Sequence, residues 1–211
     1  MKTEIVKVNT NHLELDKLDS IKAVLIKGGV IAYPTDTFYG LGVNCFSAGA
    51  VQKIYHLKKR DSSKPLSIII ADLRELEALV EHIPPIYEPL SNAFWPGPLT
   101  MVFRASGKLP KILLGPSRTI GVRYTDMGWL QSLVRYLGFP ITATSANLSD
   151  KEEANDPKCV REDFFGKINL IVDGGLTPGL RASTVIDISQ GKVKILREGA
   201  IPGSLFQEYL D

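Results

Sequence analysis

Two polar segments of the chain carry the side chains best suited to binding phosphate. The first, Lys58 to Pro65, contains Arg60, whose planar guanidinium can hold a phosphate through two parallel hydrogen bonds, and Lys64, a mobile point charge. The second, Thr142 to Ser149, is crowded with hydroxyl and amide groups. Neither contains the glycine run of a Walker motif. Together they predict a site for the phosphates of a nucleotide.

A third polar segment, Thr35 to Tyr39, follows a predicted strand and precedes Gly40-Leu41-Gly42. We expect these glycines to let the backbone approach a ligand or turn sharply. A polar connection between a strand and a helix, with glycines at its turns, would also explain the segment. It favours a binding function only in combination with other features.

Ser145 and Asn147 lie just after a short predicted strand, so we expect them at the carboxyl edge of a sheet, where ligands collect. Serine and asparagine also form turns and cap helices, which would explain both residues without a ligand. The Lys58 to Lys64 cluster has a similar alternative, because cations are favoured at a helix C-terminus; in that case Lys58 and Lys59 would face solvent.

Two further arginines end predicted strands: Arg123 in Ile-Gly-Val-Arg and Arg197 in Ile-Leu-Arg-Glu-Gly. A single arginine of this kind usually forms a surface salt bridge of little energetic value. If Arg60, Lys64, Arg123 and Arg197 converge, they form an anion site instead.

Hydrophobic periodicity and turn residues predict the elements that position these side chains. We expect a helix over 18–25 that stops at Gly28-Gly29, and a helix capped by Ser47. A strand over 66–70 should be buried on both faces. Three further helices are predicted: one over 73–79, one that ends at Trp95 and one over 129–137. The other predicted strands lie at 30–33, 99–103, 120–123, 140–142, 170–173, 184–188 and 193–196.

The alternation of strands and helices up to about Thr142 predicts parallel pairings, and the turn at 189–192 predicts a final hairpin. The expected fold is therefore α/β, with a twisted mixed β-sheet and flanking helices. No repeat or linker divides the sequence, so we expect a single domain over residues 1–211.

Composition excludes several classes of protein. A net charge of +2 is too mild for a dedicated nucleic-acid binder, and no apolar run approaches the length of a membrane span. Cys45 and Cys159 form no metal or disulfide motif, which fits a reducing cytoplasm. We therefore expect a soluble cytoplasmic protein with no membrane contact and no dedicated metal site.

Several motifs, in this order and spacing, resemble the YrdC-like family of L-threonylcarbamoyladenylate synthases in its short, single-domain form. They are Tyr33 to Gly42 (Tyr-Pro-Thr-Asp-Thr-Phe-Tyr-Gly-Leu-Gly), Lys58-Lys59-Arg60 with Lys64-Pro65-Leu66, Trp95 to Thr100, Gly121-Val122-Arg123, Ser145-Ala146-Asn147, Ser183-Thr184-Val185 and Arg197-Glu198-Gly199. Where many relatives place a histidine after Lys-Pro-Leu, this chain has Ile69, so an imidazole near the amino acid is absent.

The resemblance implies an enzyme that makes threonylcarbamoyl-AMP and pyrophosphate from L-threonine, bicarbonate or CO2, and ATP, with Mg2+ carried by the ATP. The product would pass to a tRNA threonylcarbamoyl transferase complex for N6-threonylcarbamoyladenosine modification. The resemblance also implies a deep basic cavity and allows contact with tRNA or double-stranded RNA.

Site residues follow from the matching positions. The resemblance implies that the nucleotide is bound by seven residues: Lys58, Arg60, Lys64, Thr119, Ser145, Asn147 and Arg197. Of these, Arg60 and Lys64 would be catalytic. It implies L-threonine binding by Thr37, Arg123, Ala143 and Ser183. Two alternatives remain: an RNA-binding module that uses the same basic cavity without catalysis, and a related carbamoyl-adenylate enzyme that accepts carbamoyl phosphate.

Overall fold

The protein is described by a computed structural model that covers residues 2–149 and 151–210. Within these residues ten strands are found: β1 (Glu4–Lys7), β2 (Ile31–Tyr33), β3 (Gly40–Gly42), β4 (Ser67–Ile69), β5 (Leu99–Arg104), β6 (Thr119–Arg123), β7 (Ile141–Ser145), β8 (Leu170–Asp173), β9 (Thr184–Asp187) and β10 (Lys194–Arg197). The α-helices are α1 (Leu15–Ile26), α2 (Ala48–Lys58), α3 (Leu76–Leu79), α4 (Tyr87–Phe94), α5 (Lys111–Leu114), α6 (Gly128–Leu137) and α7 (Pro157–Phe164), with 3₁₀ segments at Leu73–Glu75 and Gly203–Tyr209.

The strands form one mixed sheet in the order β1-β8-β2-β3-β7-β4-β6-β5-β9-β10. The predicted mixed sheet and the final β9–β10 hairpin are confirmed. Among the predicted strands up to Thr142 only β4 and β6 pair in parallel, whereas β5 and β7 run antiparallel to their neighbours β6 and β4. The expectation of parallel pairing was therefore mostly wrong. The connection from β5 to β6 contains only the four-residue helix α5, too little for a helical crossover.

The predicted end of helix α1 and the predicted cap of helix α2 are both confirmed. Helix α1 is followed by Gly28 at φ +70°, the left-handed position expected there. Helix α2 begins after Ser47, whose hydroxyl accepts a hydrogen bond from the Ala50 N–H at 3.4 Å. It ends at Lys59, which adopts a left-handed conformation at φ 50°. This end of α2 turns Lys58 inward and leads the chain into Arg60.

The glycines before α2 have a different purpose from the one predicted. Gly40 and Gly42 lie in strand β3, between β2 and β7, and not in a turn. A Cβ atom at Gly42 would lie 2.7 Å from the Tyr33 ring, and one at Gly40 would lie 3.0 Å from it. The glycines therefore make room for the buried Tyr33 ring, and Gly40 also lines the cavity described below.

The two faces of the sheet are covered unequally. Helices α2, α3, α4, α5 and α7 pack on one face, against residues such as Ile68, Met101 and Val122. Helices α1 and α6 pack on the other face, but only over the strands that carry residues such as Tyr33 and Ile69. The rest of that second face has no helix over it, and it forms the floor of a cavity.

Strand β4 shows where the sequence interpretation failed. Ile68 and Ile69 are fully buried on opposite faces, as predicted, but Ser67 is only half-buried and faces the cavity.

No helix in the part of the chain that the structure describes is long and apolar enough to span a bilayer.

Candidate functional site

A cavity of about 480 Å³ opens on the bare face of the sheet. Because successive side chains of a strand point to opposite faces, its floor takes every second residue of each strand. Two rows of paired residues cross this floor: Ala143, Ser67, Gly121, Val102 and Asp187 in the first, and Ile69, Arg123, Thr100 and Val185 in the second. The volume lies in the range of ordinary small-molecule sites.

Gly121 keeps the middle of this floor open. A Cβ atom there would lie 2.5 Å from the Ser67 Oγ and 3.1 Å from the Thr100 Cγ2. A larger residue would therefore displace both side chains and fill the cavity from below.

Arg123 is the most deeply buried cation of the cavity, with 7% of its side chain exposed. One of its terminal nitrogens forms a salt bridge with Asp36 Oδ2 at 2.5 Å, and the other donates to the Thr37 hydroxyl at 3.3 Å. The second oxygen of Asp36 accepts from the Thr125 hydroxyl at 2.6 Å. The Nε of Arg123 is buried and has no hydrogen-bond partner among the described residues.

Arg197 is held by the segment before β9. Its Nε and a terminal nitrogen donate to the Ser183 carbonyl at 3.2 and 2.7 Å, and that nitrogen also lies 3.2 Å from the Ser183 hydroxyl. The Ser183 hydroxyl in turn lies 3.1 Å from the Thr100 hydroxyl on the cavity floor. Arg197 is thus fixed by backbone and hydroxyl groups, and no carboxylate of the described residues accepts a hydrogen bond from it.

Arg60 is held in a similar way. Its Nε donates to the Lys64 carbonyl at 3.2 Å, and a terminal nitrogen donates to the Pro65 carbonyl at 3.1 Å. The guanidinium therefore organises the basic segment after α2 and also lines the cavity.

The positive charges of the cavity repel one another. Desolvation lowers the pKa of the Arg60 guanidinium, and the nearby charge of Arg197 lowers it further. Desolvation also lowers the pKa of Arg197, which Glu153 partly offsets and Arg123 reinforces. Both arginines stay charged at neutral pH, since their ordinary pKa is far higher. An anion in the cavity would relieve this repulsion.

Lys58 does not face solvent, so that part of the interpretation was wrong. The residue is 2% exposed, and its ammonium donates to the Ser145 carbonyl at 2.5 Å, the Asn147 carbonyl at 2.7 Å and the Asn147 side-chain oxygen at 3.0 Å. Its pKa is lowered to about 8, mainly by desolvation and further by Arg60. All three ammonium hydrogens have acceptors here, so Lys58 fixes the loop after β7 and does not reach the cavity.

The predicted site residues are brought together only in part. Eight of them line the cavity: Thr37, Arg60, Thr119, Arg123, Ala143, Ser145, Ser183 and Arg197. Lys64 is exposed and outside the lining, so three of the four predicted cations converge. Asn147, 7% exposed, accepts from the Ser145 hydroxyl at 2.6 Å and donates to the Lys151 carbonyl, which makes it a loop residue.

The location of the site also differs from the prediction. Ser145 lies within β7, and β7 runs antiparallel to both neighbours. The cavity is therefore on the face of the sheet and not at a shared carboxyl edge.

Sequence reasoning assigned no role to other residues of the lining, among them Ser67, Thr100, Gly121 and Glu153. Thr100 and Gly121 had a signal, because small or polar residues alternate with large apolar ones along β5 and β6. Ser67, in an otherwise apolar run, and Glu153, in the loop before α7, had none. Among the described residues, no group of three or more His, Cys, Asp and Glu side chains could hold a metal ion.

The fold and the cavity define an α/β protein whose mixed sheet carries, on one face, a cavity lined by three arginines. The model of the Sua5/YciO/YrdC family, whose description is "Telomere recombination", matches residues 23–199. The chain belongs to this family, which confirms the resemblance found in the sequence.

Relatives with assigned activities are similar over most of the chain. A threonylcarbamoyl-AMP synthase from Pyrococcus abyssi is 40% identical over 200 residues, which are 95% of this chain and 58% of that protein. One from Thiobacillus denitrificans is 36% identical over 173 residues, 82% of this chain and 92% of that protein. The structure of P. abyssi Sua5 complexed with L-threonine has a TM-score of 0.92 at 37% identity and covers 98% of this chain and 61% of that one. This chain thus spans less than two thirds of the P. abyssi protein.

Proposed function

We propose that the protein synthesises threonylcarbamoyl-AMP from L-threonine, bicarbonate or CO2, and ATP, and releases pyrophosphate. The observation that carries this proposal is the cavity itself, in which three arginines meet on a bare sheet face. Relatives of this family named threonylcarbamoyl-AMP synthase support the assignment.

Arg60 and Arg197 would bind the phosphates of ATP. Both guanidiniums are held by carbonyl groups, so their charge is not neutralised by a bonded carboxylate. Thr119 and Ser145 would add hydroxyl contacts to the nucleotide. Lys58 and Asn147 would act as positioning residues through the loop after β7, and Lys64 would reach the phosphates from outside the cavity. No carboxylate cluster in the described chain offers Mg2+ a site, so the ion would arrive on the phosphate oxygens of ATP.

Arg123 would bind the carboxylate of L-threonine through its guanidinium. The salt bridge with Asp36 holds the guanidinium still, and Thr37 and Ser183 supply hydroxyl groups beside it. The Ala143 backbone borders the same space.

The chemistry then requires positioning more than acid–base catalysis. The amine of threonine attacks the carbon of CO2, or of bicarbonate with loss of water, and loses a proton to become a carbamate. A carbamate oxygen attacks the α-phosphorus of ATP, and the bond from that phosphorus to pyrophosphate breaks. Arg60 and Arg197 stabilise the charge that develops on the leaving pyrophosphate.

The reaction would take place in the cytoplasm, within a single domain over residues 1–211, and the product would pass to a tRNA threonylcarbamoyl transferase complex. Residues 1, 150 and 211 of this span lie outside the described structure. The RNA-binding alternative and the alternative that uses carbamoyl phosphate stay predictions.

Pyrophosphate release tests the proposal directly. The purified protein is given ATP, Mg2+ and bicarbonate, with L-threonine, with L-serine or with neither amino acid. We expect release that depends on threonine and is weaker with serine. If folded protein releases no pyrophosphate under these conditions, or releases it without an amino acid, the proposal is wrong.

A further inference from the structure

One hydroxyl group on the cavity floor is not used by the protein. Among the described residues, the hydroxyls of Thr35, Thr37, Thr100, Ser117, Thr119, Ser145 and Ser183 all form hydrogen bonds. The Ser67 Oγ, which lies over the gap above Gly121, forms none with the described part of the chain. Thr144 also lines the cavity without a side-chain hydrogen bond among the described residues. Its neighbours on β7, Ala143 and Ser145, face the cavity floor, so the Thr144 side chain points to the opposite face of the sheet.

The space around Ser67 is polar on one side and apolar on the other. Across Gly121, the Thr100 hydroxyl contacts Ser183, one of the residues proposed to bind threonine. On the other side, Ala143 pairs with Ser67, and Ile69 follows it two residues later on the same face. A β-carbon that carries one hydroxyl and one methyl group matches these surroundings.

The position also fits the proposed pose of the amino acid. Arg123 lies in the neighbouring row of the floor, beside Ile69, and its guanidinium is the group we assign to the carboxylate. A threonine held there by its carboxylate extends its side chain toward β4. Gly121 leaves this route open, since a Cβ atom there would collide with Ser67.

We propose that Ser67 is a specificity-determining residue that hydrogen-bonds the side-chain hydroxyl of L-threonine, while Ile69 and Ala143 contact its methyl group. This inference rests on the proposed function of the cavity. Ile69 then has a role of its own at the position where relatives carry an imidazole. The contact selects for threonine because an amino acid without the hydroxyl leaves Ser67 unpaired in the closed complex.

The test compares Ser67→Ala with the wild type on two amino acids, L-threonine and L-2-aminobutyrate, which lacks only the hydroxyl. We expect Ser67→Ala to lower kcat/KM for threonine by about fivefold to tenfold, since one hydrogen bond is lost. The value for 2-aminobutyrate should stay within about twofold, and so should the KM for ATP. Ser20→Ala, which removes an exposed hydroxyl from α1, is the matched control and should change neither value.

Equal loss on both amino acids, or no loss on threonine, would overturn the role of Ser67 even if the enzyme is active. A wild-type protein that releases no pyrophosphate with threonine would overturn the proposed function itself. Circular dichroism and thermal melting of Ser67→Ala show whether the variant is folded, and a Ser67→Cys variant, of similar size but with a weak donor, should fall between alanine and serine on threonine.

Discussion

Arg123 is held differently from Arg60 and Arg197, although all three line one cavity. Arg123 is paired with the Asp36 carboxylate and is almost fully buried, so the pair has no net charge. Arg60 and Arg197 are bonded to carbonyl and hydroxyl groups, so each keeps its full charge. The first arrangement suits the carboxylate of a zwitterionic amino acid, and the second suits a polyanion such as a triphosphate.

The difference also has an energetic side. The Arg123–Asp36 pair is oriented before any ligand arrives, so its guanidinium loses little conformational freedom on binding. Desolvation lowers the pKa of Arg60 and of Arg197, and repulsion by the charge of Arg197 lowers the pKa of Arg60 further. A phosphate ligand removes this repulsion, so the comparison predicts separate defects for the two kinds of arginine.

Removal of a carbonyl-held arginine should have the largest effect. Arg60→Ala should lower the rate of pyrophosphate release by a factor on the order of a hundred or more, because charge on the leaving group is no longer neutralised. Steady-state kinetics with saturating threonine measures this loss. Arg74→Ala, which removes a guanidinium that is 90% exposed, is the matched control and should keep full activity. An unchanged rate in Arg60→Ala would contradict the assignment.

Removal of the paired arginine should affect the other substrate. Arg123→Ala should raise the KM for threonine by roughly 10- to 100-fold, because a charged hydrogen-bond partner of the carboxylate is lost. The KM for ATP should change by no more than about threefold. Initial rates over a matrix of both substrates separate the two effects. Equal weakening of both substrates would show that the arginines are not divided between them.

Loss of the carboxylate should reduce stability. Asp36→Asn leaves a buried guanidinium without its counter-charge, so we expect the free energy of unfolding to fall by about 3 kcal/mol. Urea denaturation followed by fluorescence measures the change. Asp72→Asn, which breaks an exposed pair with Arg74, should lower the free energy of unfolding far less. If both variants are equally stable, Arg123 does not depend on Asp36.

The smallest expected effect concerns pH. The pKa of Lys58 is lowered to about 8, so its ammonium loses a proton at higher pH and can then donate only two of its three hydrogen bonds. The end of β7 and the loop that carries Asn147 should loosen, and kcat/KM for ATP should fall severalfold above about pH 8. Lys58→Met should have a lower kcat/KM for ATP than the wild type, and this value should not fall above about pH 8.

A lysine on the exposed surface of the same helix is the control for pH. Lys53 donates to one carbonyl, that of Gly28, and Lys53→Met should keep the wild-type pH profile. A Lys58→Met profile that falls in parallel with the wild type would assign the pH dependence to another group.

The sequence predicted the strands that carry Arg123 and Arg197, because their apolar periodicity is strong and each arginine ends a run. It could not predict how those arginines are held. Asp36 is 87 residues from Arg123 in the chain, and the acceptors of Lys58 lie 87 and 89 residues away. Contacts of this range depend on the order of strands in the sheet, and local patterns do not specify that order.

Other errors came from residues whose conformation is set by their neighbours. Gly40 and Gly42 favour a turn by local propensity, but pairing with β2 and β7 and the Tyr33 ring place them in a strand. Ser67 interrupts an apolar strand, and only the absence of a helix above it shows that the position is open.

The central claim, that this cavity joins threonine to AMP through a carbamate, is tested most directly by following the carbon atom. The protein is incubated with ATP, Mg2+, L-threonine and isotope-labelled bicarbonate, and the nucleotide products are analysed by mass spectrometry. The account predicts a labelled threonylcarbamoyl-AMP that forms only when all three substrates are present and is reduced strongly in Arg60→Ala. A nucleotide product without the label, or none at all from folded protein, would contradict it.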